Sequence, residues 1–403
     1  MDTIPRRSSA AILFATYICL EVVFVAATVT GPTWRNVFSL SKMELGLCLG
    51  AAQVGVLTAS LFVGRITDRQ GPLRMLTLSL LSMLAALGVI ACGNFYMIFA
   101  GLVIAGVCAA ASHNAGVTLI SGVFPKNVRR VMSLASALWF GSSVVSAPLI
   151  GAWLDVARNN GWLAWGYRVP FVILAGLLLI CLILVRVRLR WTVDWHRQAA
   201  RTRVSENNSV APGVRRREWL WIPLLGLCHG LMIVSLIAWL NPMAQAVFGV
   251  TDFRGSLLFG IMAFGLSTGR LLLAAYHPRL DDRLILALSG CIGASLLVLT
   301  LRAATYRMTF ILVGLSALTV STTAPCLYAL IAKHFPQTRS QIYGYMEAGI
   351  GATAMAGPFI VGLLYDYGIP LRLAMGLSPV AALILGISSL VWKISDTSTQ
   401  PKQ

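Results

Sequence analysis

Charge is what this chain has least of. Across 403 residues only 11% are Asp, Glu, Lys or Arg, and the acids are the scarcer half, 14 against 32 bases. A soluble domain carries roughly 25% charged residues, so a water-facing globule of this length is excluded. Polar connections are scarce too: Arg186 to Glu218 is the one long hydrophilic stretch. The Gly-x-x-x-x-Gly-Lys-Ser/Thr phosphate loop is missing, and no soluble portion is large enough to hold a nucleotide. No enzyme activity and no cofactor are therefore expected. The eight cysteines (Cys19, Cys48, Cys92, Cys108, Cys181, Cys228, Cys291, Cys326) form no Cys-x-x-Cys and no Cys/His ligand spacing. They read as small buried hydrophobes, with no metal site.

What the chain does have is apolar length: 57% hydrophobic residues and a mean hydropathy of +0.78. The apolar runs are continuous rather than alternating, which excludes a transmembrane β-barrel. At about 20 residues per crossing, twelve spans are expected. The first six are Ala10–Thr30, Leu45–Gly64, Met75–Cys92, Phe95–Val123, Val131–Trp153 and Tyr167–Val185. The second six are Trp219–Trp239, Leu257–Tyr276, Leu284–Leu301, Thr309–Ala332, Ile342–Leu364 and Leu373–Trp392. Arg6-Arg7 precede the first run, which is long enough to span and reads as a retained helix rather than a cleaved signal.

The net charge of +18 is a matter of topology rather than polyanion binding, because the bases fall in short loops on alternate sides of the spans. With the N-terminus inside, about 24 bases face the cytoplasm and about 8 face outward. Both termini are then cytoplasmic, and no nucleic-acid partner is expected. The middle stretch, with Arg215-Arg216-Arg217, is suited to anionic lipid head groups. It divides the chain into residues 1–187, a basic linker 188–217, and residues 218–403. The halves echo each other. Phe124-Pro125-Lys126 before the fifth span matches Phe335-Pro336-Gln337 before the eleventh; downstream Pro148, Gly151 and Asp155 pair with Pro358, Gly362 and Asp366, with a one-residue slip.

Between the second and third spans lies Gly64-Arg65-Ile66-Thr67-Asp68-Arg69-Gln70-Gly71-Pro72-Leu73-Arg74. This charged, turn-forming segment cannot sit in lipid and must lie at a membrane face. Its Gly-x-x-x-Asp-Arg-x-Gly-x-x-Arg pattern resembles the signature loop of the major facilitator superfamily. Trp165-Gly166-Tyr167-Arg168-Val169-Pro170-Phe171 resembles the aromatic-Arg-x-x-Phe approach to the sixth span in that superfamily. The resemblance covers nearly the whole chain. It implies an all-α membrane protein of twelve helices in two pseudo-symmetric six-helix bundles, rocking about a central site by alternating access. It also implies that Gly64, Asp68, Arg69, Gly71 and Arg74 act as a gate, and that the first, fourth, seventh and tenth spans line the cavity. Drug-antiporter branches carry Gly-Pro-x-x-Gly-Gly on the fifth span; here Ala147-Pro148-Leu149-Ile150-Gly151-Ala152 is degenerate, which weakens the efflux reading.

Ionisable groups inside spans are costly and so are functional candidates. They are Glu21 in the first span, His113 beside Asn114 in the fourth, His229 in the seventh and Glu347 in the eleventh. The two carboxylates are suited to carry a coupled proton, and the histidines to relay protons or bond solute. Tyr328, Tyr17, Gln53 and Asn241 offer hydrogen bonds, and Trp139 and Trp239 offer stacking. Ser321-Thr322-Thr323 before Pro325 marks either a softened, cavity-facing turn of the tenth span or small-residue packing. Arg270 lies toward the cytoplasm, so no fixed cation is expected at mid-depth, and the inventory favours a neutral, zwitterionic or cationic solute. The expected function is secondary, proton-coupled transport of a small organic solute by a monomer in a bacterial cytoplasmic membrane. Proton-antiport efflux, an organic-anion carrier using Arg270, and a non-transporting membrane receptor are the alternatives.

Overall fold

The computed structural model describes residues 6–123, 128–188, 216–275, 281–334 and 339–391. In the first half α1 runs Arg6–Phe38, α2 Lys42–Ser60, α3 Val63–Gln70, α4 Pro72–Cys92, α5 Phe95–Val123, α6 Val128–Asn159, α7 Leu163–Gly166 and α8 Val169–Arg188. In the second, α9 runs Arg216–Phe248, α10 Asp252–Ala275, α11 Asp282–Arg302, α12 Tyr306–Val320, α13 Thr323–His334, α14 Arg339–Asp366, α15 Leu371–Ala374 and α16 Leu377–Val391. Among the described residues, twelve segments are long and apolar enough to cross a membrane. The pairs α7–α8, α12–α13 and α15–α16 each make one crossing.

Helices are the form that satisfies backbone polar groups within a single segment, which is what lipid demands. Their outer faces carry exposed aliphatic side chains such as Val172, Ile173 and Ile180 on α8, and Leu288 and Ile292 on α11. Two six-helix bundles result. One core cluster draws on α1, α4, α5, α6 and α8, with Trp34 and Phe171 stacked at 5.9 Å; two others draw on α9 through α16. The bundles meet where α6 packs on α10, α2 on α14, and α1 on α9. The α1–α2 turn marks one end of the molecule, called here the first-loop end; α3 lies at the opposite end.

Glycine permits the closest of these approaches. A Cβ on Gly151 would lie 2.6 Å from the Asp252 carbonyl oxygen, and one on Gly362 would lie 2.5 Å from that of Lys42. The Gly151/Gly362 pair of the internal repeat therefore marks equivalent contacts, α6 on α10 and α14 on α2.

Three expectations need correction. The segment before Gly71 is the helix α3 rather than a turn; only Gly71, at φ 86°, breaks the path, with Pro72 opening α4. The first span continues past Thr30 to Phe38 despite Pro32, because Thr33 and Trp34 are fully packed against the bundle. The tenth span, by contrast, is interrupted between Val320 and Thr323, in keeping with the softened turn, one of the two readings of the Ser-Thr-Thr run. Cys92, at the end of α4, is exposed rather than buried.

Candidate functional site

Glu21 sits in mid-α1, buried, with 6% of its surface exposed. A carboxylate in that position needs polar company. Ser143 of α6 supplies it, its Oγ donating to Glu21 Oε1 at 3.0 Å. Ser136, Phe140 and Ser143 follow one another at i, i+4 and i+7, so they share one face of α6. Against the same face lies Arg270 of α10. Its Nη1 donates to Ser136 Oγ at 2.7 Å, and its Cζ stands 4.3 Å from the Phe140 ring centroid. One turn away, Ser267 donates to the Ala137 carbonyl at 2.9 Å and holds α10 on α6. Arg270 Nε is buried with no hydrogen-bond partner. Arg270 interacts electrostatically with both Glu21 and His229.

His229 of α9 is buried, and its Nδ1 shares a 2.9 Å hydrogen bond with Thr323 Oγ1, at the start of α13. The interruption between α12 and α13 thus delivers a hydroxyl to the centre of the second bundle.

His113 lies deep in α5. Its ring meets Tyr17 edge-on at 5.6 Å and Trp139 at 6.2 Å, and Tyr17 and Trp139 meet at 5.8 Å. Tyr17 Oη donates to the His113 carbonyl at 3.0 Å. The residue as a whole is nevertheless exposed. Asn114 beside it is half-buried. Tyr17 is one turn before Glu21 on α1, so the aromatic cluster adjoins the charged one.

Glu347 and Tyr328 form a separate pair: Tyr328 Oη of α13 donates to Glu347 Oε1 of α14. Of the proposed gate, Arg69 and Arg74 are exposed and Gly71 forms the break described above; Gly64 and Asp68 lie outside the residues whose surroundings are described. Trp239 is a packing residue, fully buried with Nε1 donating to the Pro358 carbonyl at 3.0 Å. Gln53 is half-buried on α2.

Asn241 belongs to a network at the first-loop end. Its Nδ2 donates across the bundles to the Val29 carbonyl of α1 at 3.1 Å, and its Oδ1 accepts from Gln245. Gln245 Nε2 also reaches Asp252 Oδ1 at 2.6 Å, and Arg158 of α6 pairs with Asp252 Oδ2 at 2.5 Å. Asp155 of α6 accepts from the backbone N–H groups of Asp252 and Phe253 at 2.9 and 3.0 Å. On the other seam, Asp366 accepts from those of Lys42 and Met43 at 3.2 and 2.6 Å.

Sequence reasoning missed Ser136, Phe140 and Ser143, although their shared helical face was legible in the fifth span. Arg270 stays toward the α3 end of α10, and its bond goes to Ser136, seven residues along α6 from the Ser143 that holds Glu21.

A family model described as Major Facilitator Superfamily matches residues 12–315 and 283–403. The chain belongs to the major facilitator superfamily. Among solved structures in this superfamily's fold, a bacterial homolog of the human lysosomal transporter Spinster, inward-facing and occupied, superposes with a TM-score of 0.76 at 15% identity. That match covers 97% of each chain. The D-xylose-proton symporter gives 0.72 at 16% identity, covering 93% of this chain and 96% of its own. A relative from Pseudomonas aeruginosa, named transcription regulatory protein OpdE, is 26% identical over 338 residues, 80% of either chain. Membership makes this a multi-pass membrane protein with the two-bundle architecture of secondary transporters.

Proposed function

We propose that the protein is a proton-coupled secondary carrier of a small organic solute, working by alternating access with Glu21 as the titrating group. The observation that carries this reading is the position of Glu21. It is buried on α1, held by Ser143 of its own bundle, and drawn electrostatically toward Arg270 of the other. A carboxylate that shares charge across the seam feels whether the bundles are together or apart, so its proton and the conformation are coupled. The charge bias puts both termini in the cytoplasm, and the first-loop end then faces outward. That end is held shut by hydrogen bonds on both seams, from Asp155, Asp366 and Asn241. Residues 1–187 and 218–403 swing as the two bodies, joined by 188–217. The segment from Gly64 to Arg74 gates the inner side, and Glu347 with Tyr328 forms a second protonatable pair.

The test is proton flux into liposomes holding purified protein and a pH-sensitive dye, with a panel of solutes and Glu21→Gln beside the parent. Solute-dependent flux lost in Glu21→Gln supports the assignment; flux that survives moves the role to Glu347 and the histidines. One observation favours a second reading, a receptor of the same fold: the Pseudomonas aeruginosa relative is named for transcription regulation. A receptor binds solute without counterflow across the membrane, which separates the two.

A further inference from the structure

We propose that the solute is an organic monocarboxylate with a planar apolar body, its carboxylate held by Arg270 while Glu21 is protonated. This names the substrate class of the carrier site and rests on the transport reading given above.

The argument begins with an unfinished side chain. A guanidinium has five donors in a planar fork. In the described structure Arg270 uses Nη1 on Ser136, rests its face on Phe140, and leaves Nε buried without a partner. Its opposite charge, Glu21, attracts it without touching it. Among the described residues the direct ion pair is Arg158–Asp252, at the first-loop end. Glu21 and Arg270 interact inside a membrane domain without forming an ion pair, and the separation between them is the gap in which the solute's carboxylate is placed. The α6 face of Ser136, Phe140 and Ser143 forms one side of it.

A carboxylate fits that gap best. It matches the guanidinium fork with two parallel hydrogen bonds, which a hydroxyl or an amide carbonyl cannot do. An ammonium would be repelled by Arg270. A dianion would bring a second charge with only His229 near, and that imidazole is already bonded to Thr323. Near Arg270 and Glu21 stand the rings of Phe140, Trp139, Tyr17 and His113. Aromatic edges and faces receive a flat apolar body.

Charge balance sets the proton's part. With Glu21 ionised, a bound carboxylate would make two negative charges on one Arg270. With Glu21 protonated the site is neutral, and one proton travels with one anion. The groups that face this carboxyl are few. α10 brings Arg270, α6 brings Ser143, and α9 brings His229 beyond Arg270. α5 brings His113 against Tyr17, one turn along α1. α8 brings Cys181, opposite Cys19, and the ionisable residues of α2 (Lys42, Glu44, Cys48) lie in its first two turns.

The experiment uses purified full-length protein in detergent and three probes of one shape: benzoate, benzamide and benzylamine. Binding is read by thermal stabilisation and tryptophan quenching, because benzoic acid crosses bilayers unaided. The expected result is that benzoate alone stabilises the parent. Its affinity should rise as the pH falls from about 8 to about 6, a range in which free benzoate stays ionised. That pH dependence should vanish in Glu21→Gln while binding persists. Arg270→Gln should lose benzoate binding, and Arg270→Lys, which keeps the charge without the fork, should weaken it at least tenfold. The parent comparison needs no variant to fold. Benzamide or benzylamine matching benzoate, benzoate failing to stabilise the parent, or benzoate binding intact in Arg270→Gln would each overturn the proposal. Proton flux with neutral or cationic solutes would leave the transport reading standing and remove this one. Arg270-dependent benzoate binding without coupled flux for any carboxylate would do the reverse.

Discussion

Asp155 and Asp366 do the same work on opposite seams. Asp155 lies four residues before the end of α6 and Asp366 is the last residue of α14, the fifth spans of their bundles, and each accepts from the first two backbone N–H groups of the second span of the other bundle. Asp155 caps Asp252 and Phe253, and Asp366 caps Lys42 and Met43. A carboxylate at a helix N-terminus satisfies donors that have no partner within the helix and meets the positive end of its dipole. The first-loop end is therefore clasped twice by one device, duplicated with the bundle.

Opening that end must break both clasps. Asp155→Asn and Asp366→Asn keep the size and remove the charge, and each is expected to cost about 0.3–1 kcal/mol of the closed state, the usual value of a charge at a helix N-terminus. Spin labels at Asn36 and Ala246, exposed near that end on opposite bundles, would report the change. The long-distance population should grow in each single variant and grow further in the double. An unchanged distribution in the double variant would show that the caps do not hold the closed state.

The glycines beneath those aspartates make a second prediction with the same readout. Gly151→Ala and Gly362→Ala each drive a methyl into a carbonyl oxygen of the facing helix, and overpacking of this kind costs about 1–3 kcal/mol. The closed first-loop end should be disfavoured and the melting temperature should fall. Gly161→Ala is the control. It strains a left-handed residue, φ 74°, with open space around it, so it should lower stability without moving the labels. Equal label shifts in all three would mean that general destabilisation, not contact at the seam, opens the molecule.

The internal repeat was legible in the sequence for a physical reason. Gly151 with Asp155 and Gly362 with Asp366 are constrained by backbone, one pair of helices per seam, so the residue types repeat wherever the contact does. Glu21, His113 and His229 were legible because ionisable groups stand out in apolar runs. Arg270 was legible as a base within a span, but its contacts with Ser136 and Phe140 were not, since they depend on a rotamer and on which face of α6 carries those residues. The helix α3 was hidden because its charged residues read as a loop once the hydropathy fell.

The Arg158–Asp252 pair predicts an asymmetry. Arg158 is 40% exposed and Asp252 is not exposed at all. Removing the aspartate frees an arginine that can turn to water. Removing the arginine strands a buried carboxylate on Gln245 alone among side chains. Arg158→Met should therefore cost more than Asp252→Asn, about 2–3 kcal/mol against about 1. Denaturation of both variants in one detergent would decide it, and the opposite order would show that Asp252 is solvated.

The last prediction concerns the break in the tenth span. Thr323 serves two masters: it bonds His229 at 2.9 Å and the Val320 carbonyl at 2.7 Å, where α12 stops. Thr323→Val keeps the shape and leaves a buried imidazole nitrogen without its partner, a loss of about 1–3 kcal/mol. Thr323→Ser keeps the hydroxyl and should recover most of it. If the hydroxyl only fills space, valine will be as stable as threonine and serine will be the weaker variant, because it alone opens a cavity. If it positions His229 beside Arg270, valine will also weaken solute binding and serine will not. Melting temperature and solute affinity, measured together on the two variants, separate these roles.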